Sequence, residues 1–227
     1  MKYAILLSGG KDSLYSAYLA SKNNELVCAI TIFSQNKNSY MFHTPNIDKV
    51  SLQCESMKIP LMITKTKGEK EKELIDLKKG IADAMEKFGI ECVVTGAIGS
   101  VYQAERIQKI CDELGLICLN PLWQKNQIKL LHELLENKFR VIVGAIAADG
   151  LDKTWIGKEL DQKMISKLTE LQKKIGLNPA FEGGEVESFV IDCPLFTKRI
   201  EIVKSHIEME NQITGRLIIE EAKLVEK

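Results

Sequence analysis

The sequence YAILLSGGKDS, residues 3–13, joins an apolar run to a turn of glycine and serine, and a helical pattern follows directly. The run at residues 3–7 is nearly continuous in apolar side chains, as expected of a strand that is buried on both faces of a sheet. Residues 12–22 place Leu14, Ala17 and Tyr18 on one face, which is typical of an amphipathic helix. A strand, a tight turn and a helix in this order predict the first unit of an α/β fold.

The same alternation of strand and helix continues through the first two thirds of the chain. Helical patterns occupy residues 69–88 and 101–114. Further strands are predicted at residues 26–33, 61–64, 92–96, 117–119 and 140–147. This rhythm predicts a doubly wound parallel sheet with right-handed crossovers and helices on both faces. Ligands bind such sheets at the carboxyl ends of the strands, where SGGKDS at residues 8–13 would lie.

The alternation of apolar strands and helices ends at about residue 148, where a polar segment with glycines begins. An amphipathic helix is predicted at residues 162–175, and alternating patterns predict strands at residues 188–191, 200–205 and 216–222 in an antiparallel hairpin set. We therefore predict two domains, an α/β domain at residues 1–130 and a smaller α+β domain at residues 131–227.

Composition excludes several classes of protein. The 227 residues carry 31 Lys and Arg against 31 Asp and Glu, so the zero net charge gives no support to nucleic-acid binding. The six cysteines form no CxxC pair and the three histidines have no metal spacing, which favours reduced, buried thiols in a cytoplasmic protein. Because a strand follows Met1 and Lys2 at once and no apolar run approaches ~20 residues, we expect neither a signal peptide nor a membrane span.

The turn SGGKDS has the composition of an anion site. Gly9 and Gly10 let the backbone approach a ligand closely, and N–H groups at the start of a helix attract negative charge. Lys11 adds a mobile positive charge, and Ser8 and Ser13 add hydroxyl groups. This combination suits phosphate, although its spacing differs from the GxxxxGK[ST] pattern of P-loop NTPases.

The alternative is a glycine-rich turn that Asp12 caps, with no ligand. That alternative explains Gly9, Gly10 and Asp12, but a lysine at a helix N-terminus opposes the helix dipole. A bound anion would remove the conflict at Lys11. Asp12 would then serve either as the N-cap or as a ligand of Mg²⁺ that balances phosphate charge.

SGGKDS resembles the pyrophosphate-binding loop of the N-type ATP pyrophosphatases. That resemblance implies a five-stranded, HUP-like sheet of order 3-2-1-4-5 and the cleavage of ATP to AMP and pyrophosphate. The superfamily includes enzymes that make asparagine, GMP, NAD and argininosuccinate as well as enzymes that modify tRNA, so the loop alone does not select the reaction.

Five further segments resemble the diphthine–ammonia ligase family, in the same order and over nearly the whole chain. They are SYMFHTPN (39–46), VTGAIGSVYQAERI (94–107), PLW (121–123), GLDKTWIGKELD (150–161) and NPAFEGGEVESFVIDCPLF (178–196). The most specific is EGGE followed by the FV-D-P-F pattern. Val186 and Ser188 stand where the family usually has tyrosine and threonine, and the carboxylates of Glu182, Glu185 and Glu187 are intact.

The resemblance implies the ATP-dependent amidation of diphthine, the modified histidine of translation elongation factor 2, to diphthamide. The reaction would pass through an acyl-adenylate and release AMP and pyrophosphate. Residues 1–130 would bind ATP, and residues 131–227 would bind the substrate through EGGE. Ammonium is the expected nitrogen donor, because residue 2 is Lys2 and no cysteine has glycine neighbours. The resemblance implies no membrane or nucleic-acid partner, and a homodimer is compatible with it.

The resemblance also assigns site residues. Catalytic roles would fall to Lys11, Asp12, Glu182 and Glu185, with Asp12 as the ligand of Mg²⁺. ATP would be bound by Ser8, Gly9, Gly10, Lys11, Asp12, Ser13 and Gly96. The substrate would be bound by His43, Gly99, Ser100, Tyr102, Gln103, Gly183, Gly184 and Glu187.

Each of these segments also has a plainer interpretation. EGGEVE at residues 182–187 has the composition of a charged hairpin turn, and His43 could be an ordinary surface or core histidine. Residues 96–103 could be no more than a loop and a helix start, but in a 3-2-1-4-5 sheet this loop faces SGGKDS across the crevice.

Two other functions remain open at this point. A tRNA-modifying ATP pyrophosphatase such as a thiolase would need cysteines that relay sulfur and a basic face. A non-enzymatic nucleotide-binding domain would need the loop but not the acidic motif.

Overall fold

The computed structural model describes residues 1–34, 46–69 and 71–227. Its first part is a five-stranded sheet of order β3-β2-β1-β4-β5 in which every neighbouring pair is parallel. The strands are β1 (Lys2–Leu6), β2 (Glu25–Ser34), β3 (Leu61–Thr66), β4 (Cys92–Val94) and β5 (Ile117–Leu119). The predicted doubly wound sheet is therefore confirmed, and the order reverses beside β1, next to the SGGKDS turn.

Helices cover both faces of this sheet. They are α1 (Lys11–Ser21), α2 (Val50–Met57), α3 (Glu73–Phe88), α4 (Val101–Leu114) and α5 (Gln127–Glu136). Alternate residues of β1 point to opposite faces. Tyr3 and Ile5 belong to the apolar cluster that contains α1, α2 and α5, whereas Ala4 belongs to the cluster of α3 and α4.

A second sheet follows, with the order β7-β6-β9-β8 and antiparallel pairing throughout. Its strands are β6 (Arg140–Ala147), β7 (Val186–Asp192), β8 (Arg199–Met209) and β9 (Thr214–Val225), and α6 (Gln162–Ile175) precedes β7. The predicted C-terminal hairpin is β8 with β9. The apolar run at residues 140–147, which follows the βα rhythm in the sequence, pairs in this sheet and not in the parallel one.

The two sheets share one apolar core. The larger cluster joins Leu14 of α1 to Val141 of β6 and to Phe189 and Val190 of β7, all of them buried. The second sheet therefore packs against the α1 face of the first. Residue 130 lies inside α5, and the domain boundary that we placed there stays a prediction.

The start of α1 differs from one of the expectations. The helix begins at Lys11, and Gly10 is the N-cap residue without a side-chain cap. Asp12 is therefore inside the first turn and does not cap the helix. All six cysteines lie in the described ranges as free thiols. None of the helices in those ranges combines the length and apolarity that crossing a membrane requires.

Candidate active site

A cleft of about 1070 Å³ lies between the carboxyl ends of the parallel strands and the second sheet. Most of the residues that the sequence singled out line this cleft: Ser8, Gly10, Lys11, Asp12, Ser13, Gly96, Ser100, Gln103, Glu182, Gly183, Gly184 and Glu187. Gly9, Gly99, Tyr102 and Glu185 lie outside its lining. His43 lies outside the residues that the structure describes.

The second half of the chain holds the glycine turn in place. Gly9 has φ of +85°, and its carbonyl accepts hydrogen bonds from the Val190 N–H of β7 and from Gln53 Nε2, both at 3.0 Å. The same Gln53 nitrogen donates to the Val190 carbonyl at 2.9 Å. One buried amide thus ties the turn to α2 and β7. Gln53 carried no signal in the sequence, because it belongs to no motif and lies in a short helix.

A second tie runs from the helix start to Ser188. The backbone N–H of Lys11 donates to Ser188 Oγ at 3.2 Å. Ser188 stands at one of the two positions where the sequence departs from the family pattern, and the hydroxyl that a threonine would offer is retained. The backbone and side chain of Ser188 also lie within 3.5 Å of the position that a Cβ at Gly10 would take. Ser188 is not among the site residues that the family resemblance assigns.

The ammonium of Lys11 is neutralised inside the protein. Its side chain is 1% exposed, and Nζ donates to both carboxylate oxygens of Asp12 at 2.8 Å and to the Ala180 carbonyl at 2.5 Å. The ring of Phe181, whose φ is +68°, lies 5.0 Å from the same nitrogen. The conflict between Lys11 and the helix dipole is therefore removed by protein groups in this conformation.

Burial raises the pKa of Asp12, Lys11 opposes that rise, and the Glu182 carboxylate adds to it. Burial thus disfavours the charged form of Asp12, and the neighbouring ammonium favours it. Lys11 and Asp12 form an ion pair, and an anion that binds Lys11 or a cation that binds Asp12 would have to break it.

Gly96 brings the loop after β4 against the start of α1. A Cβ at this position would stand 2.7 Å from Ser13 N and 2.8 Å from the Asp12 carbonyl carbon, so a side chain does not fit. The close approach places Thr95, Gly96 and Ala97 in the cleft wall beside the glycine turn. Gly96 therefore has a packing reason in addition to the predicted role in nucleotide binding.

The carboxylate of Glu182 lies at the N-terminus of α4. Its Oε1 accepts hydrogen bonds from the backbone N–H groups of Gly99 and Ser100, the latter at 2.9 Å. Ser100 is the N-cap residue of α4 and its Oγ accepts from the Gln103 N–H. A carboxylate at this end of a helix interacts favourably with the helix dipole. The EGGEVE turn thus reaches across the cleft to the β4 side.

The other two carboxylates of the motif diverge. The Glu185 side chain folds back on Gly183, and its buried Oε2 has no hydrogen-bond partner among the described residues. Glu187 lines the cleft from β7. The acidic motif therefore presents Glu182 and Glu187 to the cleft and keeps Glu185 behind the turn.

Tyr102 points away from the cleft. Its hydroxyl donates to Glu71 Oε1 at 2.9 Å, and the Arg106 guanidinium lies 3.4 Å from the centre of its ring. These partners belong to the outer surface between α3 and α4. The predicted contact of Tyr102 with the substrate has no counterpart in this arrangement.

The described residues contain few potential metal ligands that lie close together. Among the described residues, no group of three His, Cys, Asp or Glu side chains is arranged to hold a metal ion. Asp12 offers one carboxylate at the mouth of the glycine turn. Mg²⁺ is commonly held by one or two carboxylates together with substrate phosphates and water. The site therefore fits Mg²⁺ that arrives with a nucleotide, and does not fit a cation held by protein side chains alone.

Comparison with known proteins gives a consistent result for both parts of the chain. The family model for the diphthamide synthase N-terminal domain matches residues 1–118, and the model for the diphthamide synthase C-terminal domain matches residues 126–225. The chain is 35% identical to the diphthine–ammonia ligases of Bos taurus and Homo sapiens, over 91% of this chain and 85% of each relative. A solved structure described as a predicted subunit of tRNA methyltransferase from Methanocaldococcus jannaschii matches at 15% identity with a TM-score of 0.43, covering 86% of this chain and 98% of that one.

Proposed function

The chain belongs to the diphthine–ammonia ligase family, and from that membership we propose that it amidates diphthine on translation elongation factor 2. It is an ATP-dependent ligase of diphthamide synthesis. We also propose that the reaction passes through an acyl-adenylate and releases AMP and pyrophosphate.

One contact carries the proposal. Lys11 Nζ of the glycine turn donates to the carbonyl of Ala180, two residues before Glu182. The phosphate-binding loop and the acidic motif therefore meet in one cleft, where a nucleotide and a second substrate can react. A nucleotide-binding domain without an enzymatic role would have no need of this juxtaposition.

ATP would lie with its phosphates on the glycine turn. The N–H groups of the turn and Lys11 would hold the β- and γ-phosphates, because a helix N-terminus and a lysine both favour anions. The purine would lie against the apolar part of the wall, where Ile30, Ile32 and Ile107 line the cleft. Mg²⁺ would share the phosphates with Asp12 and supply positive charge as pyrophosphate departs.

The acidic groups in the cleft make the positive charge of Mg²⁺ necessary for ATP to bind. Asp12, Glu182 and Glu187 all line the cavity that would receive a polyanion. Binding of a phosphate would draw Lys11 from Asp12, and the freed carboxylate would then need a new cation. If Lys11 turned to the phosphate and Asp12 bound Mg²⁺, the two side chains would separate and each would still have a partner of opposite charge.

The reaction would proceed in two displacements. A carboxylate oxygen of diphthine attacks the α-phosphorus, the bond from that phosphorus to the β-phosphate bridging oxygen breaks, and pyrophosphate leaves. Ammonia then attacks the acyl carbon, the bond from that carbon to the AMP oxygen breaks, and the nitrogen loses a proton to give the amide. The protein would contribute alignment and charge stabilisation rather than a covalent nucleophile.

Ammonium would be the nitrogen source: the acidic side of the cleft would attract it, and it would lose one proton to water before attacking as ammonia. Glu182 and Glu187 face the cavity, and Glu185 stands behind them in the same turn. No thiol is placed for acyl transfer, since none of the six cysteines lines the cleft. The same observation gives no support to a sulfur-relaying tRNA thiolase. The proposed substrate is a translation factor, so the proposed location is the cytoplasm.

The test is to incubate the chain with ATP, ammonium and diphthine-bearing elongation factor 2. We expect AMP to be released in step with the mass change that accompanies replacement of a hydroxyl by an amine on the factor. Omitting ammonium, ATP or the modified factor should each abolish the amide. Release of AMP without any amide, in the presence of all three, would contradict the proposal.

A further inference from the structure

Four residues form one row across the second sheet. Ala145 of β6 pairs with Glu187 of β7 on one side and with Arg216 of β9 on the other, and Arg216 pairs with Glu208 of β8. Directly opposite residues of antiparallel strands point to the same face of a sheet. Glu187, Ala145 and Arg216 all line the cleft, so these three residues of the row face the cavity.

The residue in the middle of the row has a short side chain, and the residues on its two sides carry opposite charges. Ala145 contributes a single methyl group, whereas Arg216 and Glu187 rise from the strands on either side of it. Two strand spacings separate those backbones by about 10 Å. The row is therefore a shallow trough with a positive side and a negative side.

Glu208 holds the guanidinium of Arg216 by one edge. Its Oε2 accepts from Nε at 3.3 Å and from Nη2 at 3.1 Å. Within the described part of the chain, Nη1 makes no hydrogen bond, and the side chain is 28% exposed. None of the hydrogen bonds among the described residues occupies the edge of the guanidinium that Glu208 does not use, and a ligand in the cleft could bind there.

Arg216 and Lys11 are the cationic side chains among the described residues that line the cleft. Lys11 lies on the glycine turn, where the proposed function places the pyrophosphate. Arg216 lies on the opposite wall, in β9, which contains none of the sequence motifs. A guanidinium is the side chain best suited to bind a carboxylate in a defined orientation.

We propose that Arg216 binds the substrate carboxylate that becomes the amide, while Glu187 receives the adjacent quaternary ammonium. This inference rests on the proposed function and deepens it. It states that the trough binds a zwitterion, a substrate that carries a carboxylate and a quaternary ammonium together. Arg216 would hold one carboxylate oxygen and leave the other directed at the α-phosphorus. The trough would then select a substrate with a fixed positive charge next to its carboxylate.

The test compares Arg216→Gln and Arg216→Lys with a matched control, Arg199→Gln. Arg199 is exposed at the start of β8 opposite Val225 and does not line the cleft, so its substitution removes the same charge from the same sheet. KM and kcat are measured for diphthine-bearing elongation factor 2 and, separately, for ATP. Circular dichroism and the melting temperature establish that each variant is folded.

We expect Arg216→Gln to lower kcat/KM for the modified factor by about tenfold to a hundredfold, the range for a partly desolvated charge contact, with KM for ATP changed less than about twofold. Arg216→Lys should recover part of that loss, since it keeps the charge without the forked geometry. Arg199→Gln should match the wild type.

Three results would overturn the inference, and they are distinguishable. A wild-type chain that does not amidate the factor would remove the proposed function and this inference with it. A wild-type chain that does amidate it, together with an Arg216→Gln variant no different from Arg199→Gln, would remove the inference alone. An equal loss for ATP and for the factor would also contradict it, because Arg216 would then act on the nucleotide or on the fold.

Discussion

The backbone N–H of Ser100 donates a hydrogen bond of 2.9 Å to Glu182 Oε1, although 82 residues separate the two. This bond fixes the first carboxylate of the acidic motif at the N-terminus of α4, on the far wall of the cleft. Glu185, the second glutamate of EGGE, does not bind the N-terminus of α4 and lies outside the cleft lining. The two glutamates, which the sequence treats alike, therefore have different surroundings.

Glu182→Gln should keep ATP binding and lose amide formation by about tenfold to a thousandfold, equivalent to ~1.4–4 kcal/mol of transition-state stabilisation. The amide can still accept from the α4 N–H groups, but the negative charge that faces a cationic substrate is gone. Sequence alone predicts the same loss for Glu185→Gln. Because Glu185 lies outside the cleft lining, we now expect a smaller loss there. Full activity of a folded Glu182→Gln variant in the amidation assay would contradict a role for this carboxylate.

Lys11→Ala should weaken the binding of ATP far more than that of AMP, since the proposed function assigns the ammonium to the β- and γ-phosphates. Isothermal titration of both nucleotides measures the difference. Lys163→Ala, an exposed lysine of α6, is the control and should change neither affinity. Equal losses for the two nucleotides would place Lys11 elsewhere along the ligand.

Ser188→Ala removes the acceptor of the Lys11 N–H, and Ser188→Thr keeps it. Loss of a typical hydrogen bond costs about 0.5–1.5 kcal/mol, so ATP affinity should fall several-fold in the alanine variant. The threonine variant should stay near the wild type. The two affinities, measured at one temperature and salt concentration, decide whether the hydroxyl supports the loop; indistinguishable values would show that it does not.

Cys193→Ala should leave most of the amidation activity. Cys193 is 1% exposed, and burial raises the pKa of its thiol to about 12, so the thiol is protonated at neutral pH. Direct attack by ammonia requires no thioester. A folded, ATP-binding variant without activity would instead indicate acyl transfer through this sulfur.

The β8–β9 hairpin should show a pH dependence that involves His206. Hydrogen bonds to Glu220 and then to Glu208 raise the pKa of His206 above its ordinary value of about 6.5. The folded-state pKa is raised, so the stabilisation is fully present below pH ~6.5 and is lost as pH rises through the raised pKa. An NMR titration of His206 checks the direction, and Glu220→Gln should bring the pKa of His206 back toward the ordinary value.

Periodic segments of this fold were predictable from sequence because local rules decide them. Helices α4 and α6 begin and end as predicted, and each ends before a glycine with positive φ, at Gly115 and Gly176. Helix α2 was not predicted. Of its five buried residues, Gln53 and Ser56 are polar, so its buried face does not show as an apolar period.

The site was predictable as motifs but not as geometry. SGGKDS and EGGEVE identify which stretches meet, yet the different directions of Glu182 and Glu185 follow from a turn in which Phe181 and Gly184 have positive φ. Such a turn has no periodicity from which side-chain direction can be read. Arg216 enters the cleft through strand register, since its pairing with Ala145 depends on residues about seventy positions apart in the chain.

The carbonyl of Gly9 accepts one hydrogen bond from Gln53 and another from Val190. Gly9 and Gln53 both precede Val190 in the chain, so the glycine turn is translated before the strand that supplies its second hydrogen bond. Domains generally fold from the N-terminus as they emerge. The parallel sheet can form early in translation, but its nucleotide loop acquires its final shape only after β7 has been made. The turn therefore has its full set of hydrogen bonds only in a chain that already contains the strand after the acidic motif.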